Sequence, residues 1–301
     1  MENVSAKTKS IYERTKTFPG LMQHLENLGH EAAPQPEGIN VELMDFQKQA
    51  LAWAIERENT KGGLNSFLWV ELPKKAKGVR RGYSSTLWFS PMLDMVTRQR
   101  PSTARGGFIC EQMGLGKTVI SLSVVLQNPA PDLPESGTEV TGYQWPPPSK
   151  EPPTTPGWTQ IVKKGVGAPA SRGNIFSRGT LVVCNVSLVG QWIDEAKSKL
   201  KNPGLVYSYH GGSRTRDATI LAEKSIVVTT YATLASDNNY HKKKSKDEDA
   251  YCSPCEQVRW WRVICDESHV LRATSGQTRS VLNLQAENKW CVTGTPINTN
   301  M

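Results

Sequence analysis

The sequence lacks any apolar run approaching the roughly 20 residues that a helical membrane span requires, so no membrane partner is expected. Its opening segment, MENVSAKTKSIYERTKTFPG, holds no apolar stretch of the signal-peptide kind. Cysteine is sparse, with six in 301 residues. Cys110, Cys184, Cys265 and Cys291 each sit in or beside an apolar, strand-like run, where Cys acts as a small buried hydrophobe; this is the pattern of a reduced, intracellular protein, not a disulfide framework. Cys252 and Cys255 form a C-x-x-C without a second pair. A structural zinc site needs four ligands, so zinc is not expected there. Acidic residues are in deficit, 28 against 36 Lys and Arg, which leaves a net charge of +8. That balance favours a polyanionic partner, nucleic acid before a membrane surface.

What is present is enough to build a core: 38% hydrophobic residues and nine Trp. Residues 1–40 are polar and read as a poorly ordered lead-in, with one short amphipathic helix around Gly20–Leu28. LMDFQKQALAWAIERE (43–58) reads as a helix in which Phe46, Ala50, Trp53, Ala54 and Arg57 share a face. Two irregular insertions follow, 59–105 and 128–178. In the first, FLWVEL and STLWFS alternate as a hairpin or an inserted pair of strands. The second holds ten of the 19 prolines and no hydrophobic period, which predicts disorder. Beyond it, strands at TLVVC (180–184), LVYSY (205–209), SIVVTTY (225–231), WWRVICDE (260–267) and NKWCVTG (288–294) alternate with helices at 188–200, 214–223 and 277–284. Apolar strands alternating with amphipathic helices mean an α/β fold with a mostly parallel sheet flanked by helices.

Two segments carry chemistry. GGFICEQMGLGKT (106–118) follows a strand and opens a helix. Gly114 and Gly116 let the backbone turn its N–H groups around a phosphate, and the next helix points its N-terminus at that anion. Lys117 would neutralise the β- and γ-phosphates, and Thr118 would hold a magnesium ion through its hydroxyl. The spacing departs from G-x-x-x-x-G-K-[ST], since Glu111 stands where the first Gly belongs. WWRVICDESH (260–269) ends a strand in two acids, at the sheet edge where parallel α/β proteins bind ligands. Asp266 would take the magnesium and Glu267 would orient or deprotonate the attacking water. One strand later, TGTP (293–296) brings Thr293, Gly294 and Thr295 to the same edge.

In this order the segments resemble the Swi/Snf family of the helicase-like superfamily two. LMDFQKQALAWAIERE looks like the adenine-sensing Q motif with Gln47 as its glutamine, and GGFICEQMGLGKT like motif I, whose family form allows an acid where Glu111 stands. TLVVCNVSLVGQW resembles motif Ia; YHGGSR and VVTTYATLA resemble the next blocks; DESH is similar to the DEAH box; TGTPIN looks like motif III. SPCEQVRWWRVICDESHVLR, with Trp290 beside TGTP, is nearest the branch of helicase-like transcription factor and RING-bearing postreplication-repair translocases. Gln112, Asn185 and Ser268 depart from the family pattern, but Lys117, Asp266 and Glu267 do not.

The resemblance implies a RecA-like P-loop domain over 41–301, which binds ATP and magnesium through Gln47, Met113, Gly114, Leu115, Gly116, Lys117 and Thr118. It implies a sequence-independent duplex-DNA partner, or nucleosomes, touched at Ser187, Gln191, Gly211 and Thr230, and a nuclear location for chromatin remodelling or DNA repair. KKAKGVRR (74–81) and HKKKSK (241–246) are further candidates for phosphate contact or nuclear import. The matched segments stop at motif III, so the expectation is lobe one of a two-lobe ATPase, near-inactive without a second RecA-like lobe. The alternative is a non-catalytic fragment or incomplete gene model that acts at most as a nucleotide- or DNA-binding module.

Overall fold

The computed structural model describes residues 30–60, 69–72, 87–90, 95–98, 101, 105–130, 172–242, 252–272 and 275–296. The chain forms two compact units. The smaller spans 1–31, 59–104 and 144–160. Its described part is an antiparallel sheet of β1 (Val70–Leu72), β2 (Leu87–Ser90) and β3 (Met95–Thr97). The expected pairing of FLWVEL with STLWFS is there as β1 on β2, and β3 adds a third strand that the residue pattern did not announce. The runs 74–81 and 243–246, and the helix expected at Gly20–Leu28, lie outside the described residues.

The larger unit holds α1 (Asp45–Asn59, to its last turn), β4 (Arg105–Ile109), α2 (Lys117–Gln127), β5 (Ile175–Phe176), β6 (Thr180–Cys184), α3 (Val189–Lys199), β7 (Val206–Ser208), α4 (Ala218–Ala222), β8 (Ile226–Thr230), α5 (Tyr231–Lys242), α6 (Pro254–Gln257), β9 (Val258–Asp266), α7 (Gly276–Leu282) and β10 (Gln285–Val292). Among the described residues its seven strands are all parallel, in the order β4-β10-β9-β6-β8-β7, with β5 beside β9. Parallel strands are covered on both faces, so they read as continuous apolar runs. Every residue of β6 (TLVVC) and β8 (IVVTT) is buried.

The two-residue period sorts these side chains into two cores. Val182, Cys184, Val228, Ile264, Trp290 and Val292 pack with α1, α2 and α3. Leu181, Val183, Val227, Val263 and Cys265 pack on the opposite face with α4 and the start of α5. Arg262 and Asp266 have the same parity as Ile264, and so lie on the α1–α3 face.

Several expected boundaries and one expected face are corrected. The second insertion ends sooner than 178, because Gly173 N donates to Glu256 O at 2.8 Å and β5 pairs with β9. The first ends at 104, since Arg105 already belongs to β4. The lead-in also ends before 40: Ala33 N donates to Lys48 O at 3.0 Å, and Ile39 bridges Leu200. The helix expected from Arg214 begins only at Ala218, capped by Asp217 through Thr219 N at 2.8 Å. Arg214 and Arg216 are drawn instead onto Asp237 of α5, a buried carboxylate that also takes the Tyr209 hydroxyl at 2.8 Å.

Helix α1 buries Gln47, Leu51, Ala54 and Glu58; of the face expected, only Ala54 is fully covered. Glu58 has 0% exposure. Its carboxylate accepts two bonds from the Arg262 guanidinium at 2.5 Å, one from Trp290 Nε1 at 2.7 Å and one from Asn128 Nδ2 at 2.7 Å. A charged pair had to be matched across the fold before this face could close over it.

Candidate nucleotide site

Register brings the chemistry together. Ile109 of β4 pairs with Val292 of β10, and Val292 pairs with Asp266 of β9. The phosphate-type loop, TGTP and the two acids therefore leave the sheet side by side at its C-terminal edge, where α/β sheets bind ligands. Thr293 N closes the edge by donating to Ile109 O at 3.1 Å.

The loop 110–116 has the backbone that its glycines permit. Gly114 has φ 86° and Gly116 φ 81°, both left-handed, and α2 starts at the next residue. Gln47 packs against the same turn. Its Oε1 accepts from Met44 N at 3.0 Å, as the third residue of a helix does in a capping box, and its Nε2 donates to Leu115 O at 3.1 Å. A Cβ at Gly116 would lie 2.5 Å from Gln47 Nε2. Gly116→Ala thus meets both a left-handed φ and a clash. It is expected to destabilise the chain by about 1–2 kcal/mol, read as a lower urea midpoint. Gly190→Ala, on α3 with open space around it, should be neutral or gain up to ~1 kcal/mol.

Lys117 is half-buried and turns its Nζ back to Glu111 O at 2.9 Å and Gln112 O at 3.1 Å. A Cβ on Gly294 would lie 3.7 Å from that Nζ, so the amine stands between the loop and TGTP, within electrostatic reach of Asp266. Thr118 is half-buried, and Met113 (83% exposed) and Leu115 (38%) project outward.

Asp266 ends β9 and is held on three sides. Oδ2 accepts from Trp192 Nε1 at 2.7 Å, Oδ1 from Glu267 N at 2.9 Å, and its carbonyl from the Tyr231 hydroxyl at 2.7 Å. Burial pushes its carboxyl above the ordinary range; Trp192 and the Glu267 amide oppose this, the Glu267 carboxylate adds to it, and Lys117 opposes it. A partly desolvated carboxylate of this kind gains most from an arriving cation. Glu267 adopts φ 47°, left-handed for a residue with a full side chain. Such a conformation costs about 1–2 kcal/mol and persists where surrounding contacts over-determine it, often at functional sites. Its Oε2 lies 3.1 Å from His269 Nδ1 and 3.5 Å from Thr293 Oγ1, and His269 Nδ1 is 3.2 Å from Thr293 Oγ1. Thr295 N donates to Thr293 Oγ1 at 3.1 Å.

The edge thus gathers Gln47, Lys117, Asp266, Glu267 and the TGTP turn. Trp192, Tyr231 and His269 belong to it although sequence reasoning gave them no role. Each lies in a segment the sequence singles out: Trp192 closes TLVVCNVSLVGQW, Tyr231 sits in VVTTYATLA and His269 closes DESH, and a buried indole N–H or phenol O–H needs a partner. Of the four residues expected to meet DNA, Ser187 and Gly211 are exposed in the connections after β6 and β7, and Gln191 is exposed on the first turn of α3. Thr230 is not: it has 0% exposure and its hydroxyl caps α5, taking Thr233 N at 2.9 Å. A helix cap is what that Thr is for. Cys252 and Cys255 are buried free thiols. Among the described residues no group of three or more His, Cys, Asp or Glu could hold a metal ion. The donors at this edge, the Asp266 and Glu267 carboxylates and the threonine hydroxyls beside a phosphate-type turn, are hard oxygens. They fit magnesium that arrives on a triphosphate rather than in an all-protein cage.

Comparison with known proteins adds the following. The family model described as SNF2-related domain matches residues 46–301. An Arabidopsis thaliana protein, named as member 3-like 1 of subfamily A of the SWI/SNF-related matrix-associated actin-dependent regulators of chromatin, is 32% identical over 94% of this chain and 30% of its own length. DNA repair protein RAD5A of the same plant is 28% identical over 92% of this chain and 27% of its own. The helicase-like transcription factor of Homo sapiens is 25% identical over 99% and 39%. The chain therefore spans less than half the length of these relatives. Among solved structures, the Sulfolobus solfataricus SWI2/SNF2 ATPase core in complex with dsDNA superposes with a TM-score of 0.46 and 16% identity, over 87% of this chain and 34% of that one.

Proposed function

Because the chain belongs to the SNF2-related family, we propose that its sheet edge binds magnesium–ATP as lobe one of a DNA-dependent ATPase that moves on duplex DNA. The observation that carries the reading is the convergence of Lys117 and Asp266, from strands β4 and β9, on the edge that β10 completes. On this reading Lys117 leaves the Glu111 and Gln112 carbonyls for the β- and γ-phosphates. The N–H groups of Gly114–Thr118 face the same anion at the start of α2. Gln47, Met113 and Leu115 flank the nucleotide. Thr118 and Asp266 hold the magnesium, which neutralises charge on the transferring phosphate. Glu267 takes a proton from the attacking water, with His269 and Thr293 keeping its carboxylate in place. Thr293, Gly294 and Thr295 carry changes at the phosphates into the TGTP turn.

Full rate requires a second RecA-like lobe, whose cationic groups typically contribute ~10³–10⁵. Ser187, Gln191 and Gly211 meet the DNA backbone. Binding to duplex DNA, free or in nucleosomes, is then independent of base sequence and falls steeply with salt. The chromatin and DNA-repair names of the relatives favour work in the nucleus.

The test is titration of a fluorescent ATP analogue with magnesium and with EDTA. The chain should bind the analogue about tenfold or more tightly with magnesium than without. Asp266→Asn should erase that difference and leave magnesium-free binding within about twofold. Equal affinity in both conditions, with Lys117 replaceable at no loss, sinks the nucleotide reading.

A further inference from the structure

Helix α3 lies on the same face of the sheet as Asp266 and sends two side chains, three residues apart, toward the nucleotide edge. Positions i and i+3 share one side of a helix. The first is Trp192, 3% exposed, whose Nε1–H is bonded to Asp266 Oδ2 at 2.7 Å. The second is Glu195. Its carboxylate takes Lys199 Nζ at 2.8 Å and Gln191 Nε2 at 2.9 Å, and the Thr118 side chain lies near enough to favour its charged form. One helix therefore bonds one of the side chains assigned above to magnesium, Asp266, and brings a carboxylate near the other, Thr118.

The chemistry of those contacts is directional. A hydroxyl has one hydrogen and two lone pairs. A Thr118 hydrogen turned to Glu195 would leave the lone pairs of Thr118 for a cation. A carboxylate offers about four acceptor sites. Trp192 takes one site on Oδ2 and the Glu267 amide takes one on Oδ1, which fixes the plane of the group and leaves a site free on each oxygen. Neither Trp192 nor Glu195 needs to touch the nucleotide for this to work.

We propose that Trp192 and Glu195 are positioning residues for the magnesium–triphosphate, aiming the free lone pairs of Asp266 and Thr118 at the cation. The proposal rests on the nucleotide reading and names the helix that holds its metal side in place. Groups that orient metal ligands are typically worth 10–100-fold in metal affinity.

The experiment uses the whole chain and the fluorescent ATP analogue, with magnesium and with EDTA, alongside a thermal melt. Trp192→Phe removes the N–H and keeps an aromatic ring. It should weaken magnesium-dependent binding about tenfold and leave binding in EDTA within about twofold. Glu195→Ala should do the same, whereas Glu195→Gln, which keeps an acceptor for the Thr118 hydroxyl, should retain most of the wild-type affinity. Glu195 is 24% exposed, so its variants decide the matter if the Trp192 variant misfolds. Unchanged magnesium dependence in Trp192→Phe and Glu195→Ala overturns the positioning role and leaves the nucleotide reading standing. So does an equal loss with and without magnesium, which is the mark of a purely structural part. Absence of magnesium-dependent binding in the wild-type chain overturns the positioning role, and together with a Lys117 variant that binds as well as wild type it overturns the nucleotide reading too.

Discussion

Glu58→Gln will unfold at a urea midpoint lowered by the equivalent of about 3–5 kcal/mol. The reason lies in what it leaves behind. Arg262 has 1% exposure, and its Nε and one terminal nitrogen are bonded to the Glu58 oxygens. Its remaining partners are neutral, Thr180 Oγ1 at 3.1 Å and Asn128 O at 2.9 Å. Removing the carboxylate's charge strands a guanidinium where water cannot reach it, and Trp290 Nε1 keeps only a weaker acceptor. The pair itself is a poor source of net stability, because desolvation consumes most of its attraction. Combining Glu58→Met with Arg262→Met should therefore recover most of the loss. If the single variant melts within about 1 kcal/mol of wild type, the pair is not closed to water as described.

Lys117→Ala will lose roughly 100-fold in affinity for the triphosphate, as expected when charge-assisted bonds to phosphate oxygens go, at about 1.5–3 kcal/mol for one such bond. Its stability should barely move, by less than about 1 kcal/mol, because the amine is half-exposed and its bonds among the described residues go to two carbonyls of its own loop. The two measurements together separate the roles: Glu58 is tested by the melt and Lys117 by the titration. A Lys117→Ala chain that binds the analogue as wild type does would remove the phosphate role from this lysine.

The strands were legible in the residues because a parallel sheet covered on both faces needs apolar side chains at consecutive positions; β6 and β8 show this without interruption. Helix α1 was legible as a helix but not in its orientation. Its deepest residue is Glu58, whose partner Arg262 is 204 positions away, and no local periodicity reveals a charge matched at that distance. Helix α5 was missed since SDNNY offers no apolar stripe; it is held by Asp237, which gathers Arg214, Arg216 and Tyr209. In the site, Lys117, Asp266 and Glu267 stood out by spacing and order. Trp192 and Tyr231 did not, because each acts through one hydrogen bond to a residue remote in sequence, and Glu195 did not, because the residue it faces across the fold is 77 positions away. Thr230, matched to a DNA-contacting block by resemblance, is buried with its hydroxyl on the first turn of α5, a placement that no local pattern separates from an exposed strand end.

The strand order also sets a timetable for synthesis. Among the described residues β4, which leads into the phosphate-type loop, pairs with β10 alone, and Gly107 pairs with Trp290, about 180 positions later. At roughly 5–20 residues per second on the ribosome, β4 waits about 10–40 s for its neighbour. During that interval the apolar side of α2 has no finished sheet to settle on. A nascent chain arrested before β10 should accordingly be a strong client for chaperones that bind exposed apolar segments, and one extended past Thr293 a weak one.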